Sequence, residues 1–218
     1  MSRSDLILLD CDDVLLDFLP GFLAHARTRG LDPDPAGPGQ FNMAPWLGLS
    51  GEDTLALIRE FNDGEGTGFD TLDPIPGAVA GVQALRAAGY RLRVVSSFSG
   101  CAAAHARRAG NLERAFGADA FEGLDAAPIG SSKVEILARH EPSPFVDDLL
   151  RNAREAHEVG HSAILLRAHH NARDFLASSL DFPIRRVTDW EELLVALEAG
   201  PGAASVSVDN SAPGPAWL

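Results

Sequence analysis

The sequence predicts an α/β fold: a doubly wound, mostly parallel sheet with a small helical cap inserted after the first strand. Three observations predict it. From Pro76 onward, short apolar runs alternate with helical patterns, which is the signature of strands joined by crossover helices. The first apolar run, residues 6–9 (LILL), is continuous, as in a strand covered on both faces. The stretch between that strand and Pro76 breaks the alternation and reads as mostly helical.

Taken in order, the first strand ends in the acidic cluster Asp10, Asp12, Asp13. A helix follows, with Leu15, Phe18, Leu19, Phe22, Leu23 and Ala26 on one face and Gly30 as its stop. Residues 31–50 are rich in Pro and Gly. Ser50 then caps a helix carrying Leu55, Ile58 and Phe61 on one stripe, ended by Gly64. Beyond Pro76, helices are expected at 77–88, 100–109, 111–116, around Ser132 and at 152–159. Strands are expected at 91–95, near 120–124, and at 144–147, 162–167 and 184–187. Asp189 and Glu192 form a capping box for a last helix bearing Leu193, Leu194 and Leu197. The implied organisation is a core of residues 1–14 and 77–199, a helical cap of 15–76, and a flexible tail of 200–218.

Composition narrows the classes. A chain of 218 residues that is 45% hydrophobic can bury a full core. A net charge of -13 with no basic patch argues against a nucleic acid polymer as partner. The apolar stretch near the N-terminus is too short for a signal peptide, and no run reaches the ~20 apolar residues of a membrane span. With only Cys11 and Cys101, a reduced, cytoplasmic protein is expected, with no membrane partner. All 18 basic residues are arginine except Lys133. A position that keeps lysine in such a chain is a candidate for needing a compact ammonium, which the planar guanidinium cannot replace.

Four features then fall at strand ends. Asp10 and Asp12 close the first strand; an isolated D-x-D is more often a solvated loop or a helix cap. Here three carboxylates crowd a buried strand end, and each like pair at ~4 Å and an effective dielectric of ~20 repels by ~4 kcal/mol. A hard divalent cation such as Mg2+ relieves that, since it takes oxygen ligands. Ser96 and Ser97 follow the strand RLRVV and can hold phosphate oxygens or, more plainly, cap the next helix. Lys133 lies near a helix start. Asp147 and Asp148 close the strand PFV and complete a metal site with Asp10.

In this order the four features resemble the motifs of the haloacid dehalogenase superfamily, over residues 5–198. That resemblance implies a Rossmann-like core and a Mg2+-dependent phosphomonoesterase. In it Asp10 attacks phosphorus to form an aspartyl-phosphate, and Asp12 serves as general acid and base. It also implies metal ligation by Asp10, the backbone carbonyl of Asp12 and Asp148, with Asp147 in support. Ser96, Ser97 and Lys133 would hold the phosphoryl group. The presence of Asp12 favours phosphatase over dehalogenase. The insertion between the first and second motifs resembles the helical cap type, and a small phosphorylated metabolite, a sugar phosphate or nucleotide, is the implied substrate. A phosphomutase and a non-catalytic binding protein of the same fold remain as alternatives. Phe18, Trp46 and Phe61 could sandwich a base, as in related nucleotidases, or pack the cap. Two departures from the pattern stand out: Asp13 stands where glycine is usual, though Asp tolerates the backbone angles of such a turn, and Arg151-Asn152 stands where the fourth motif most often has a later Asp.

A competing motif, His157-Glu-Val-Gly-His161, matches the H-E-x-x-H zinc pattern. Gly160 should end the helix between the two histidines and send His161 elsewhere. His169 and His170 sit in a loop with no partner evident from the sequence.

Overall fold

The computed structural model describes residues 4–177 and 180–199; the tail expected at 200–218 lies outside the described residues. Six strands form one sheet: β1 (Leu6–Leu9), β2 (Arg91–Ser97), β3 (Leu124–Ala127), β4 (Pro144–Asp147), β5 (Ser162–Leu166) and β6 (Arg185–Val187). Their spatial order is β3-β2-β1-β4-β5-β6, and every pairing is parallel. The sheet is therefore fully parallel rather than mostly so. Chain order reverses between β1 and β4, the switch point where an open α/β sheet leaves a crevice at its carboxyl edge.

The sequence of β1 shows why it lies at the centre. Ile7 and Leu9 join one core with Leu92, Val94, Val146 and Ile164, while Leu6 and Leu8 join a second with Val95, Leu137 and Phe145. A strand buried on both faces needs an unbroken apolar run, and LILL supplies it. Between β1 and the next helix of the core come α1 (Phe18–Thr28), α2 (Ala44–Leu47) and α3 (Gly51–Asp63). The two ends of this helical insertion are tied together, Ile75 N–H donating to Leu15 O (2.9 Å) and Asp17 N–H to Asp73 O (2.8 Å). Ser50 Oγ accepts from Asp53 N–H, the expected cap of α3.

The remaining helices are α4 (Ala78–Ala87), α5 (Ala102–Phe116), α6 (Val134–Leu137), α7 (Leu150–Glu158), α8 (Ala172–Phe175) and α9 (Trp190–Ala199). Two expectations need correction. The helices expected at 100–109 and 111–116 are one, α5, which runs straight through Gly110. A helical glycine costs about 1 kcal/mol, and the buried row Ala104, Arg108, Leu112 and Phe116 outweighs it. The third strand begins at Leu124 rather than near 120; its hydrogen bonds to β2 start just before it, from Glu122 N–H to Leu92 O (2.8 Å) and Val94 N–H to Gly123 O (3.0 Å). At α9, Glu192 N–H donates to Asp189 Oδ1 as expected, but Glu192 Oε2 accepts from Thr188 N–H rather than from Asp189.

Trp190, 2% exposed, locks α9 to the rest. Its Nε1 donates to Val14 O (2.8 Å), in the turn beside the acidic cluster, and its ring lies on Gly81 of α4. A Cβ at Gly81 would stand 2.2 Å from Trp190 Cε3. Gly81→Ala should therefore reverse the usual gain from removing a helical glycine and destabilise by about 1–3 kcal/mol, read by urea denaturation.

Candidate active site

Asp10 follows β1 directly and is anchored by its own backbone, Asp10 N–H donating to Val146 O of the neighbouring β4 (2.9 Å). Asp147 ends β4, so the adjacency of these two strands brings their carboxylates together. Between them lies Lys133, fully buried, with Nζ 2.9 Å from Asp10 Oδ2 and 2.8 Å from Asp147 Oδ2. Burial alone would lower the lysine, but Asp10 and Asp147 hold it well above the ordinary range. Asp147 is further held by Leu149 N–H (2.8 Å) and by Asn152 Nδ2, 3.0 Å from both oxygens. Burial still lifts its carboxyl well above the usual value, with Lys133 opposing.

Asp148 takes a different partner. Its Oδ2 lies 2.7 Å from His170 Nε2, and the other ring nitrogen, Nδ1, is 3.5 Å from Asp13 Oδ2. The His170 ring thus bridges two acids. Burial would lower it, but Asp148 and Asp13 raise it above its ordinary value. Asp13 has φ 58°, the one positive value among described non-glycine residues. The turn survives without glycine, as expected of Asp, and Asp13 Oδ1 accepts from Phe18 N–H at the start of α1 (3.3 Å).

Asp12 pairs with a residue that the motifs do not contain. Arg108 of α5 is fully buried; its Nη2 lies 2.7 Å from Asp12 Oδ1, and its guanidinium sits 3.9 Å from the centre of the Phe69 ring. Burial lifts the Asp12 carboxyl to about 6, Arg108 pulling against that rise and Asp10 adding to it.

Asp10, Asp12, Ser96, Ser97, Lys133 and Asp148 all line one cavity of about 390 Å³, while Asp147 stands behind it. Ser96 Oγ and Ser97 Oγ are buried with no hydrogen-bond partner in the protein, so they are free to meet a ligand. The opposite wall comes from the insertion: Phe18, Phe41, Met43, Leu55 and Ile58. Of the three aromatics considered for a base sandwich, only Phe18 lines the cavity. Phe61 is fully buried, edge-on to Phe18 and Phe22 at 5.5 Å, and Trp46 Nε1 donates to Asp34 O.

The zinc motif does not assemble. Helix α7 ends at Glu158, Gly160 has φ 95°, and His161 turns to Leu137 O (3.0 Å) and Ser143 N–H (3.1 Å), while His157 stacks on Phe182. The histidine that does reach the cavity is His170, in the loop after β5, with the exposed His169 beside it. Arg108 carried a signal in the sequence: it falls on the buried row of α5, four residues from both Ala104 and Leu112. The two-helix reading of 100–116 hid that row.

Three carboxylates, Asp10, Asp147 and Asp148, offer ligand atoms within 4.8 Å of one another. Around the cavity five acids face Lys133, Arg108 and His170; burial lifts the Asp13 and Asp147 carboxyls, and the neighbouring negative charges add to the rise. A hard, oxygen-seeking divalent ion such as Mg2+ fits that donor set.

Comparison with protein-family models gives no match, and no curated protein matches the sequence. Solved structures do match. A predicted phosphatase from Clostridium acetobutylicum superposes with a TM-score of 0.67 at 14% identity, covering 91% of this chain and 100% of that one. A haloacid dehalogenase-like hydrolase from Streptococcus pneumoniae gives 0.64 at 16%, covering 90% and 100%. The fold is that of the haloacid dehalogenase-like hydrolases. A third such neighbour, D,D-heptose 1,7-bisphosphate phosphatase from B. bronchiseptica in complex with magnesium and phosphate, gives 0.55 at 17% identity, covering 89% and 98%.

The raised carboxyl of Asp12 has a consequence for stability. Its folded value, about 6, lies above the ordinary 3.8, so the folded state holds a proton that the unfolded state releases first. Stability owed to Asp12 is complete below about pH 4, declines as pH rises to about 6, and is level above. The wild type minus Asp12→Asn difference in unfolding free energy, measured with chelator present, should fall by on the order of 3 kcal/mol across that window.

Proposed function

We propose that the protein is a Mg2+-dependent phosphomonoester hydrolase that works through an aspartyl-phosphate on Asp10. The observation that supports this best is the convergence of Asp10, Asp12, Ser96, Lys133 and Asp148 on one cavity at the switch point of the sheet. The phosphatases among the structures of like fold, one of them holding magnesium and phosphate, support the same reading.

Each residue then has a task. Asp10, oriented by Cys11 N–H (2.7 Å to Oδ1) and by Lys133, attacks phosphorus in line with the ester oxygen. The P–O ester bond breaks and Asp12 gives its proton to the leaving alkoxide. An acid near 6 is divided between its two forms close to neutral pH, which suits a group that must first donate and then accept. In the second step Asp12 takes a proton from water, the resulting hydroxide attacks phosphorus, and Asp10 and inorganic phosphate are released. Ser96, Ser97 and the Lys133 ammonium bind the phosphoryl oxygens throughout, and positioning with charge neutralisation supplies most of the rate. Bound by Asp10, the backbone carbonyl of Asp12 and Asp148, with Asp147 in support, Mg2+ would offset the charge of the phosphoryl group.

In this reading residues 15–76 act as a cap over a core of 1–14 and 77–199. The apolar wall excludes water, and Gln40, Asn42, Thr54 and Asn62 stand beside it for polar groups of a small phosphorylated metabolite, a sugar phosphate or nucleotide. The purified protein should release inorganic phosphate from p-nitrophenyl phosphate with Mg2+, stop on adding EDTA, and recover with fresh Mg2+. Asp10→Asn should abolish turnover and Asp12→Asn lower it by about 10²–10⁴-fold. Mass spectrometry of acid-quenched protein should find a phosphoryl adduct on the peptide containing Asp10. Full turnover in Asp10→Asn would refute the mechanism, and transfer of the phosphoryl group within a substrate, without free phosphate, would make it a mutase.

A further inference from the structure

Asp13, His169 and His170 have no task in that mechanism, yet the fold brings them together. Asp13 leaves β1 on the far side of Asp12, and the two histidines come from the loop after β5, two strands away. One ligand atom from each of the three lies within 4.8 Å of the other two. Asp13 is 9% exposed and His170 equally buried, while His169 is exposed at the surface end of the group. The His169 ring is bracketed by the insertion: a Cβ at Gly37 would lie 3.2 Å from its Cδ2.

We propose that Asp13, His169 and His170 form a second metal site, for a borderline transition ion such as Zn2+, Mn2+ or Co2+, beside the magnesium site and distinct from it. Two imidazoles and a carboxylate are a donor set that such ions prefer and Mg2+ does not. The orientation of His170 supports the assignment independently. Its Nδ1 faces Asp13, and its Nε2 is 2.7 Å from Asp148 Oδ2. A metal-bound histidine characteristically donates its other ring N–H to a carboxylate, which fixes the tautomer and turns the free nitrogen to the ion. Asp148 stands at ion-pair distance on that side of the ring, where such an acceptor would be. The ion takes the place of the proton on Nδ1, between His170 and Asp13. Three protein ligands leave a coordination position open to water. The two sites then share Asp148, as expected ligand of one and the carboxylate behind the histidine of the other.

The test uses the full chain, stripped with chelator and then saturated with Mg2+ so that the oxygen site is filled. Titration with Co2+ should show one further ion bound per chain, with the visible absorption of a nitrogen-ligated centre, and calorimetry should find the same stoichiometry for Zn2+. His169→Ala should weaken that binding by about tenfold or more, and Asp13→Gly should do likewise, with Mg2+ affinity in His169→Ala unchanged. His169 is exposed, so its loss does not threaten the fold even if Asp13→Gly does. No Co2+ bound in excess Mg2+, or equal Co2+ affinity in wild type and His169→Ala, overturns the proposal. Neither result depends on phosphate release, so the site can fail while the hydrolase reading stands, or the reverse.

Discussion

A lysine ammonium held between two buried carboxylates is the contact on which the site depends. Pairing β1 with β4 places Asp10 and Asp147 at neighbouring strand ends, and without a cation between them the sheet would bury two like charges side by side. Lys133 resolves this only because an ammonium is compact enough to sit between both oxygens; a planar guanidinium would demand a different spacing. Its backbone is placed to match, Lys133 N–H donating to Glu155 on α7 (2.9 Å). Deleting one partner of such a set leaves an unpaired buried charge, which costs several kcal/mol. The solitary lysine among arginines therefore answers to a geometric requirement.

Much of this was legible in the sequence for one reason. A strand buried on both faces must be apolar throughout, so a polar residue directly after it marks the carboxyl edge of the sheet. Asp10, Ser96 and Asp148 could each be placed by that rule, and the switch point supplied their proximity. Residues that reach the site from a helix were harder to see. Arg108 differs from surface arginines only in lying on the same row as Ala104 and Leu112, a row visible once Gly110 is allowed inside the helix. His170 follows β5, whose end carries no acid or hydroxyl, so nothing in the local pattern set its loop apart from a solvated turn. Its partner Asp148 is 22 residues earlier in the chain, and only the parallel pairing of β4 with β5 joins them.

In the proposed mechanism Asp12 both gives and receives a proton, and its pairing with Arg108 suits it to that task. Burial alone would lift the Asp12 carboxyl further; the Arg108 guanidinium alone would lower it. The guanidinium is divided between Asp12 and the face of Phe69, and the two influences leave the acid near neutrality. Phe69 belongs to the segment that closes the insertion, so the insertion also sets the position of the countercharge. A wet cavity would screen both effects and return Asp12 toward an ordinary carboxylate.

Asp13 completes the argument about charge. Glycine at that position would satisfy the backbone angle with less strain, so its replacement needs a side-chain reason. Asp13 has two: one oxygen receives the first amide of α1, which fixes where the insertion begins, and the other faces His170. Through His170 it is connected to Asp148, so the start of the insertion and the acid that closes β4 are held by a single imidazole. A neutral imidazole has one N–H to give, so a ring that faces two carboxyls from different strands is satisfied as a cation, as a metal ligand, or with one acid protonated and donating to its free nitrogen. The departure at Asp13 and the imidazole of His170 after β5 are therefore linked, the second oxygen of the one facing the ring of the other.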